Sequence, residues 1–93
     1  DGTLFASIDG LAVHPHTHQV FVCDAVGRCV FVFDALGKLI RCLDHAHFGG
    51  ILGSEPRAIA IHPRTGHLAI IVRLPESRTT MFRGFVHVTP WTS

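Results

Sequence analysis

Three histidines at alternate positions give the sequence its clearest capacity for chemistry. His14, His16 and His18 lie in the run His-Pro-His-Thr-His. In an extended segment, side chains two residues apart point to the same side, so these imidazoles could converge on zinc or copper. Pro15 bends the segment, however, and no carboxylate or cysteine at ligand spacing accompanies it. We therefore predict no bound cofactor and a solvated histidine-rich turn, with a metal site at these three residues as the alternative.

Other chemical signals in the sequence are weak. It contains no nucleophile elbow, phosphate-binding loop or pair of carboxylates at a recognisable spacing, so no catalytic residue is predicted. Cys23, Cys29 and Cys42 lie inside apolar runs, where a free cysteine behaves as a small buried hydrophobe. We predict buried structural thiols, and a disulfide or a metal role is the alternative.

The composition is very apolar for a chain of this length. Of the 93 residues, 47% are hydrophobic, whereas eight are basic and seven are acidic. A single small domain of this size buries only about 60–65% of the surface of its unfolded chain. The longest apolar run is five residues, far below the roughly 20 that a membrane-spanning helix needs, so no membrane partner is predicted. A net charge of +1 gives no general attraction to nucleic acid, and the cellular compartment stays open.

One segment of the sequence occurs twice, 48 residues apart. Residues 11–24 read LAVHPHTHQVFVCD, and residues 59–72 read IAIHPRTGHLAIIV. Each copy has a short apolar run, His-Pro, a polar turn with threonine, and a second apolar run. Proline lacks an N–H and disfavours helix in the residue before it, so each copy is predicted to be a β-hairpin.

Further strand patterns extend these hairpins into larger units. Residues 29–33 and 38–43 each follow turn residues, which predicts a four-stranded antiparallel meander. Residues 2–7 match the fourth strand in pattern, so we predict that they are the last strand of a preceding unit. The predicted division is an outer strand of a preceding unit at 1–8, a complete unit at 9–44, a connecting loop at 45–56, and a second, degenerate or partial unit at 57–93.

Strands in both units are apolar at every position, as in Cys29–Phe33 and Leu68–Val72. Both faces of such strands must be covered. Units of about 40–50 residues with four strands are typical of β-propeller blades, which neighbouring blades cover on both sides. The predicted fold class is all-β, with propeller blades that form an incomplete propeller in this chain. Further sequence or partner chains would supply the missing blades.

The first unit resembles an NHL repeat. That repeat opens with Pro-x-Gly-hydrophobic-Ala-Val-Asp, continues into a second strand ending in Asp, and then has Arg, a third strand ending in Phe-Asp and a turn glycine. The matching residues are Gly10–Pro15, Val20–Asp24, Arg28, Val30–Asp34 and Gly37, and in the second unit Pro56–Pro63. His14 and His62 replace the usual Asp, Val72 replaces the strand-ending Asp of the second unit, and residues 78–83 lack a clean third strand.

The resemblance implies how polar residues are sorted between two faces. Arg28, Arg57 and Arg73 would lie on the face with which NHL propellers bind RNA or protein. For Arg28 we predict an ion pair with Asp24 across their tight turn, with contact to a ligand as the alternative. The opposite face would collect the two histidine-rich turns, with His14, His16, His18, His62, Arg64 and His67.

Three functional hypotheses follow. The leading one is a non-catalytic protein–protein interaction or scaffold module, bound to protein partners or neighbouring blades in a larger protein or assembly. The first alternative is RNA binding by the arginine-bearing face, although Asp24, Glu55 and Glu76 would share that face. The second alternative is a fragment of a metal-dependent propeller enzyme, such as a lyase or a lactonase-like hydrolase, as the resemblance also allows.

Overall fold

The computed structural model describes residues 5–75 and 83–92, which form seven strands in two antiparallel sheets. The strands are β1 (Gly10–Val13), β2 (Val20–Asp24), β3 (Cys29–Phe33), β4 (Leu39–Leu43), β5 (Glu55–Ile61), β6 (Leu68–Arg73) and β7 (Gly84–Thr89). The prediction of an all-β chain is confirmed, and the described strands form two open sheets. A single turn of 3₁₀ helix, His45–His47, precedes β5. No helix in the described ranges has the length and apolar character needed to cross a membrane.

Both sheets are meanders in which consecutive strands are neighbours. The first sheet has the order β1-β2-β3-β4 and the second has β5-β6-β7. The predicted four-stranded meander is therefore confirmed for residues 10–43. The repeated segment forms the hairpins β1-β2 and β5-β6, in which Val13 pairs with Val20 and Ile61 with Leu68. Within the described residues, the second sheet thus corresponds to strands β1 to β3 of the first sheet.

Two strand boundaries differ from the predicted ones. Residues 5–8 form no strand, because the N–H groups of Ala6 and Ser7 donate to the Asp24 carboxylate rather than to a strand partner. Residues 1–4 of that predicted strand lie outside the described residues. β5 begins at Glu55, inside the predicted loop 45–56, and its pairing shifts register between Pro56 and Ala58. Such an irregularity accommodates a proline, which cannot donate to the ladder. Residues 78–82 also lie outside the described residues.

The two sheets pack face to face, with β5 against β1, β2 and β3. The closest approach is between Gly10 and Ala58, where a Cβ added to Gly10 would lie 3.2 Å from the Ala58 Cα. The small residue at each position allows the two backbones to meet. The fully buried core comprises Phe21, Cys23, Val30, Val32, Leu43, Phe48, Leu68, Ile70 and Val72.

The repeated His-Pro turns share one hydrogen-bonding scheme. His14 Nδ1 accepts the N–H groups of His16 and Thr17 at 3.1 and 3.2 Å. His62 Nδ1 accepts those of Arg64 and Thr65 at the same distances. Each imidazole thus takes the part that an Asp side chain plays in an Asx turn. In both rings Nδ1 is the acceptor, so the proton of the neutral ring is on Nε2.

Equivalent residues of the two turns occupy the left-handed region of backbone space. His18 has φ 61° and Gly66, its counterpart 48 residues on, has φ 76°. Glycine adopts this region without a steric penalty, whereas a residue with a Cβ does so at a cost. The first turn therefore carries backbone strain that the second turn avoids.

Replacing His18 with glycine is expected to raise the free energy of unfolding by about 0.5–1 kcal/mol, the relief of strain being partly offset by the greater entropy of the unfolded chain. Urea denaturation at neutral pH measures this difference. His67→Gly is the matched control, since His67 is also exposed but has no positive φ. Equal effects of the two substitutions would contradict the strain at His18.

Candidate functional site

The three arginines that the sequence analysis assigned to one binding face lie close together at one end of the two sheets. We call this end the arginine-bearing edge. Arg28 closes the β2-β3 turn, Arg57 lies near the start of β5, and Arg73 ends β6. Antiparallel pairing of β5 and β6 sets Glu55 directly opposite Arg73. The Glu55 Oε1 atom lies 3.5 Å from Arg73 Nη1 and 3.8 Å from Arg57 Nη1. The edge is therefore basic, with one carboxylate between two of its guanidinium groups.

Two cavities open between these arginines, and Arg73 lines both. The first, of about 330 Å³, is lined by Arg28, Gly53, Glu55, Arg73, Leu74 and Pro75. The second, of about 310 Å³, is lined by Arg57, Ile71, Val72, Arg73, Arg83 and Gly84. Guanidinium groups bind carboxylates and phosphates in a planar, bidentate geometry. This edge can therefore accept an anionic group, with an apolar wall provided by Ile71 in the second cavity.

The Asp24 carboxylate fastens the N-terminal segment to the first sheet. Its oxygens accept the N–H groups of Ala6 and Gly27 at 2.8 Å each and that of Ser7 at 3.1 Å. The predicted ion pair between Asp24 and Arg28 is wrong, since no salt bridge between them occurs in the described part of the chain. The backbone N–H groups satisfy the carboxylate, and Arg28 is left exposed at the edge.

Electrostatics at Asp24 favour the ionised carboxylate. Burial raises its pKa, but the hydrogen bonds from Gly27, Ala6 and Ser7 outweigh that effect, and the pKa lies below the ordinary aspartate value. Because these donors stabilise the charged form more than the neutral form, the ionised carboxylate contributes to the stability of the fold.

The candidate metal ligands His14, His16 and His18 do not converge. His14 is buried, its Nδ1 accepts two turn N–H groups, and its Nε2 faces Gly66. His16 Nε2 lies 3.3 Å from the carbonyl oxygen of Arg64. Across residues 5–75 and 83–92, no group of three or more His, Cys, Asp or Glu side chains is placed to hold a metal ion. The two histidine turns instead contact each other and align the ends of the sheets.

The three cysteines are free thiols with different exposures. Cys23 is fully buried, and burial, assisted by the negative charge of Asp9, raises the pKa of its thiol to about 12. Burial also raises the pKa of the half-buried Cys29 thiol. Cys42 is exposed, so the prediction of a buried thiol is wrong there. Its position on β4, the edge strand of the first sheet, leaves it uncovered.

Trp91 is a residue whose role the sequence pattern did not reveal. Its ring packs edge-on against Phe21 at 5.0 Å between centroids, and its indole N–H donates to Gln19 Oε1 at 2.7 Å. The Arg41 guanidinium lies 4.7 Å from the ring centroid, within cation–π range. Trp91 therefore ties the segment after β7 to the first sheet. The only signal in the sequence was that it is the single tryptophan.

The outward faces of both sheets are apolar. We define the outer face of the first sheet by Leu11, Val13, Val22, Phe31 and Phe33, and the outer face of the second sheet by Ala60, Ala69, Ile71, Val86 and Val88. Strand alternation and register place each set on one side. Phe5 covers part of the first set by packing edge-on against Phe31 and Phe33.

Equivalent positions in the two sheets differ in burial. Ile71 is 51% exposed, whereas its counterpart Cys23 in the first sheet is 0% exposed. On the third strands, Val86 is 60% exposed, whereas Val30 is 0% exposed. These two valines are counterparts because Val86 pairs with Ile71 and Val30 pairs with Cys23. The buried face of the second sheet contains Ile70, whose counterpart in the first sheet is Val22, 48 residues earlier. The buried face of the second sheet therefore corresponds to the outer face of the first sheet. The interface therefore joins unlike faces of two similar sheets, head to tail.

Comparisons of the chain with protein-family models, with curated proteins and with solved structures gave no match.

Replacing Asp24 with asparagine is expected to lower the free energy of unfolding by about 1–2 kcal/mol at pH 7, because an amide cannot accept all of the N–H groups that the carboxylate accepts. The folded-state pKa is lowered, so this contribution is fully present above the unfolded value, about 3.9, and is lost as the pH falls through the folded value. Urea denaturation from pH 7 to pH 3 should show the two proteins converging. A difference that stays constant over this range would contradict the stabilising role of the ionised carboxylate.

Proposed function

We propose that this chain is a non-catalytic protein-interaction module made of β-propeller-type blades, and that it works inside a larger stack of sheets. Its residues 10–43 would form a full blade and its second sheet a partial one. The outer faces would be the contact surfaces of the stack, and the arginine-bearing edge would face further protein partners.

The observation that carries this proposal is the difference in burial between equivalent positions. Residues such as Val30 and Val32 are fully buried because the second sheet covers them. Their counterparts Val86 and Val88 have the same apolar character but no covering sheet in the described chain, and each is 60% exposed. An exposed apolar face of this kind marks an interaction surface in a folded protein. A third sheet placed like the second would bury it.

The head-to-tail packing of the two sheets also supports a stack. Because the contact joins unlike faces, the outer face of the first sheet and the outer face of the second sheet are left uncovered, one at each end of the pair, and they are also unlike. Further sheets can then be added by the same contact until the stack closes around an axis, as it does in a propeller. Two sheets packed through like faces would have no such continuation.

RNA binding by the arginine-bearing edge is the second candidate function. The cluster of Arg28, Arg57 and Arg73 favours it, because phosphate groups are bound by guanidinium groups at close spacing. Glu55 reduces the positive potential of this edge by its contacts with two of the arginines. A protein partner with an exposed carboxylate fits the mixture of arginine and apolar surface better than a run of phosphates does.

The mass of the particle in which the protein travels in its source distinguishes these functions. We expect a particle larger than one chain that survives ribonuclease, because protein faces hold it together. Replacing Ile71 and Val86 together with lysine should release the chain from the particle, since these cross-strand partners form the centre of the outer face. Sedimentation of the extract, with the protein detected by antibody, measures the change.

Leu36→Lys is the matched control, because Leu36 is 95% exposed but lies in the β3-β4 turn, away from the outer faces. This variant should stay in the particle. Collapse of the wild-type particle on ribonuclease treatment would favour the RNA function instead. A wild-type particle with the mass of residues 1–93 alone would contradict the proposed function.

A further inference from the structure

We infer that the sheet covering each outer face belongs to a second copy of this chain, docked head to tail. The outer face of the second sheet in one copy binds the outer face of the first sheet in the next. This inference rests on the proposed function, which requires a protein sheet at these faces without specifying its source.

The packing inside the chain provides the template for the contact between copies. The movement that would place the first sheet on the second superposes each residue of β1 and β2 on its counterpart 48 residues later. Repeating that step places the first sheet of a second copy on the second sheet of the first copy. The close approach of Gly10 to Ala58 then recurs as Ala58 against Gly10 of the next copy. Both residues are small, so the backbones can approach in the new contact as they do in the observed one.

Charge complementarity supports a second copy as the occupant. Within the chain, Asp9 of the first sheet lies in electrostatic range of Arg57 of the second. The same step brings Arg57 towards Asp9 of the next copy, so opposite charges meet again. Arg57, Arg73 and Arg83 line a cavity at this end of the outer face. The exposed Asp9 provides the matching carboxylate at the same end of the first sheet.

Apolar residues on the first sheet complete the complementarity. Leu11 and Val13 are more than half exposed, whereas their counterparts Ile59 and Ile61 pack against the core. Ile8 is likewise exposed, and its counterpart Pro56 is fully buried. A second copy docked in the observed manner would therefore bury the same positions that the internal interface already buries, and the burial of apolar surface would drive association.

Two contacts do not carry over unchanged. Phe5 already covers part of the outer face of the first sheet by packing on Phe31 and Phe33, so a second copy must dock beside it or displace it. Inside the chain, Gly66 lies against the His14 ring, so closely that an added Cβ would be 2.5 Å from Nε2. Between copies, the corresponding pair is His62 with His18, which carries a side chain. The contact between copies must therefore be wider at the histidine turns than the internal one, and the association is expected to be weaker than the internal packing.

Two variants that each block one face test the inference. Ile71→Glu places a charge on the outer face of the second sheet, and Leu11→Glu places one on that of the first. We expect the wild-type chain to form species larger than a dimer as its concentration rises, because each copy carries one half of the contact at either end. Each variant alone should remain monomeric. An equimolar mixture should form a heterodimer, at least tenfold tighter than either self-association, because one intact pair of faces remains.

Sedimentation velocity of the whole chain over a range of concentrations measures these species. Leu36→Glu serves as the control and should assemble as the wild type does. Trp91 fluorescence reports the internal contact with Phe21, so a variant with a wild-type spectrum keeps its internal interface. If either variant loses that spectrum, Val86→Glu or Val13→Glu replaces it on the same face, since both of these valines are exposed.

If one of the two variants still self-associates, the copies associate through like faces, and the inference is overturned. A mixture of the two variants that stays monomeric would also overturn it. A wild-type chain that is monomeric when pure, yet travels in a nuclease-resistant particle in its source, would also overturn the second copy as occupant. That result would leave the proposed function standing, with a different protein at the outer faces. A particle with the mass of residues 1–93 alone, both when pure and in the source, would overturn the inference and the proposed function.

Discussion

Burial of one apolar face between two sheets is the interaction on which the rest of this structure depends. A small chain that is nearly half hydrophobic cannot hide its apolar side chains within a single sheet, because each sheet has two faces. The contact of Gly10 with Ala58 brings the backbones close enough for Phe21, Leu68 and Ile70 to be sealed from water. Every other feature, including the turns, the arginine-bearing edge and the outer faces, takes its position from this contact.

Asp24, Gln19 and the His-Pro turns, at the margins of this core, are satisfied by specific hydrogen bonds rather than by ion pairs. The buried Asp24 carboxylate accepts backbone N–H groups, which removes the cost of burying a charge without a partner. Gln19 is buried and accepts the indole N–H of Trp91. In the His-Pro turns, imidazole nitrogen accepts the turn N–H groups. His14, the first of the three histidines that could have suited a metal, is therefore a structural residue, because its Nδ1 acceptor is already in use.

The arginine-bearing edge and the outer faces are connected through Arg57 and Arg73. Both line the cavity whose wall includes Ile71, a residue of the outer face. A partner that covers the apolar face thus meets guanidinium groups at one end, where a carboxylate can be paired as it loses its water. This combination gives an apolar driving force for binding and an electrostatic preference for orientation. The proposed stack, whose units would add in one direction, needs both.

The sequence alone was enough to predict the strands β1 to β6 and their local turns, but it did not place β7, and it predicted a strand at residues 5–8 that does not form. The period-two and fully apolar patterns, the His-Pro turns and the 48-residue repeat were sufficient to predict the two β-hairpins and the four-stranded meander, since these depend on interactions between residues close in the chain. Tertiary structure alone decided that Asp24 binds the N-terminal segment rather than Arg28, that Glu55 lies between two arginines, and that Trp91 packs on Phe21. It also decided which face of each sheet is covered, because a strand that is apolar on both sides carries no local signal for the side on which its neighbour lies.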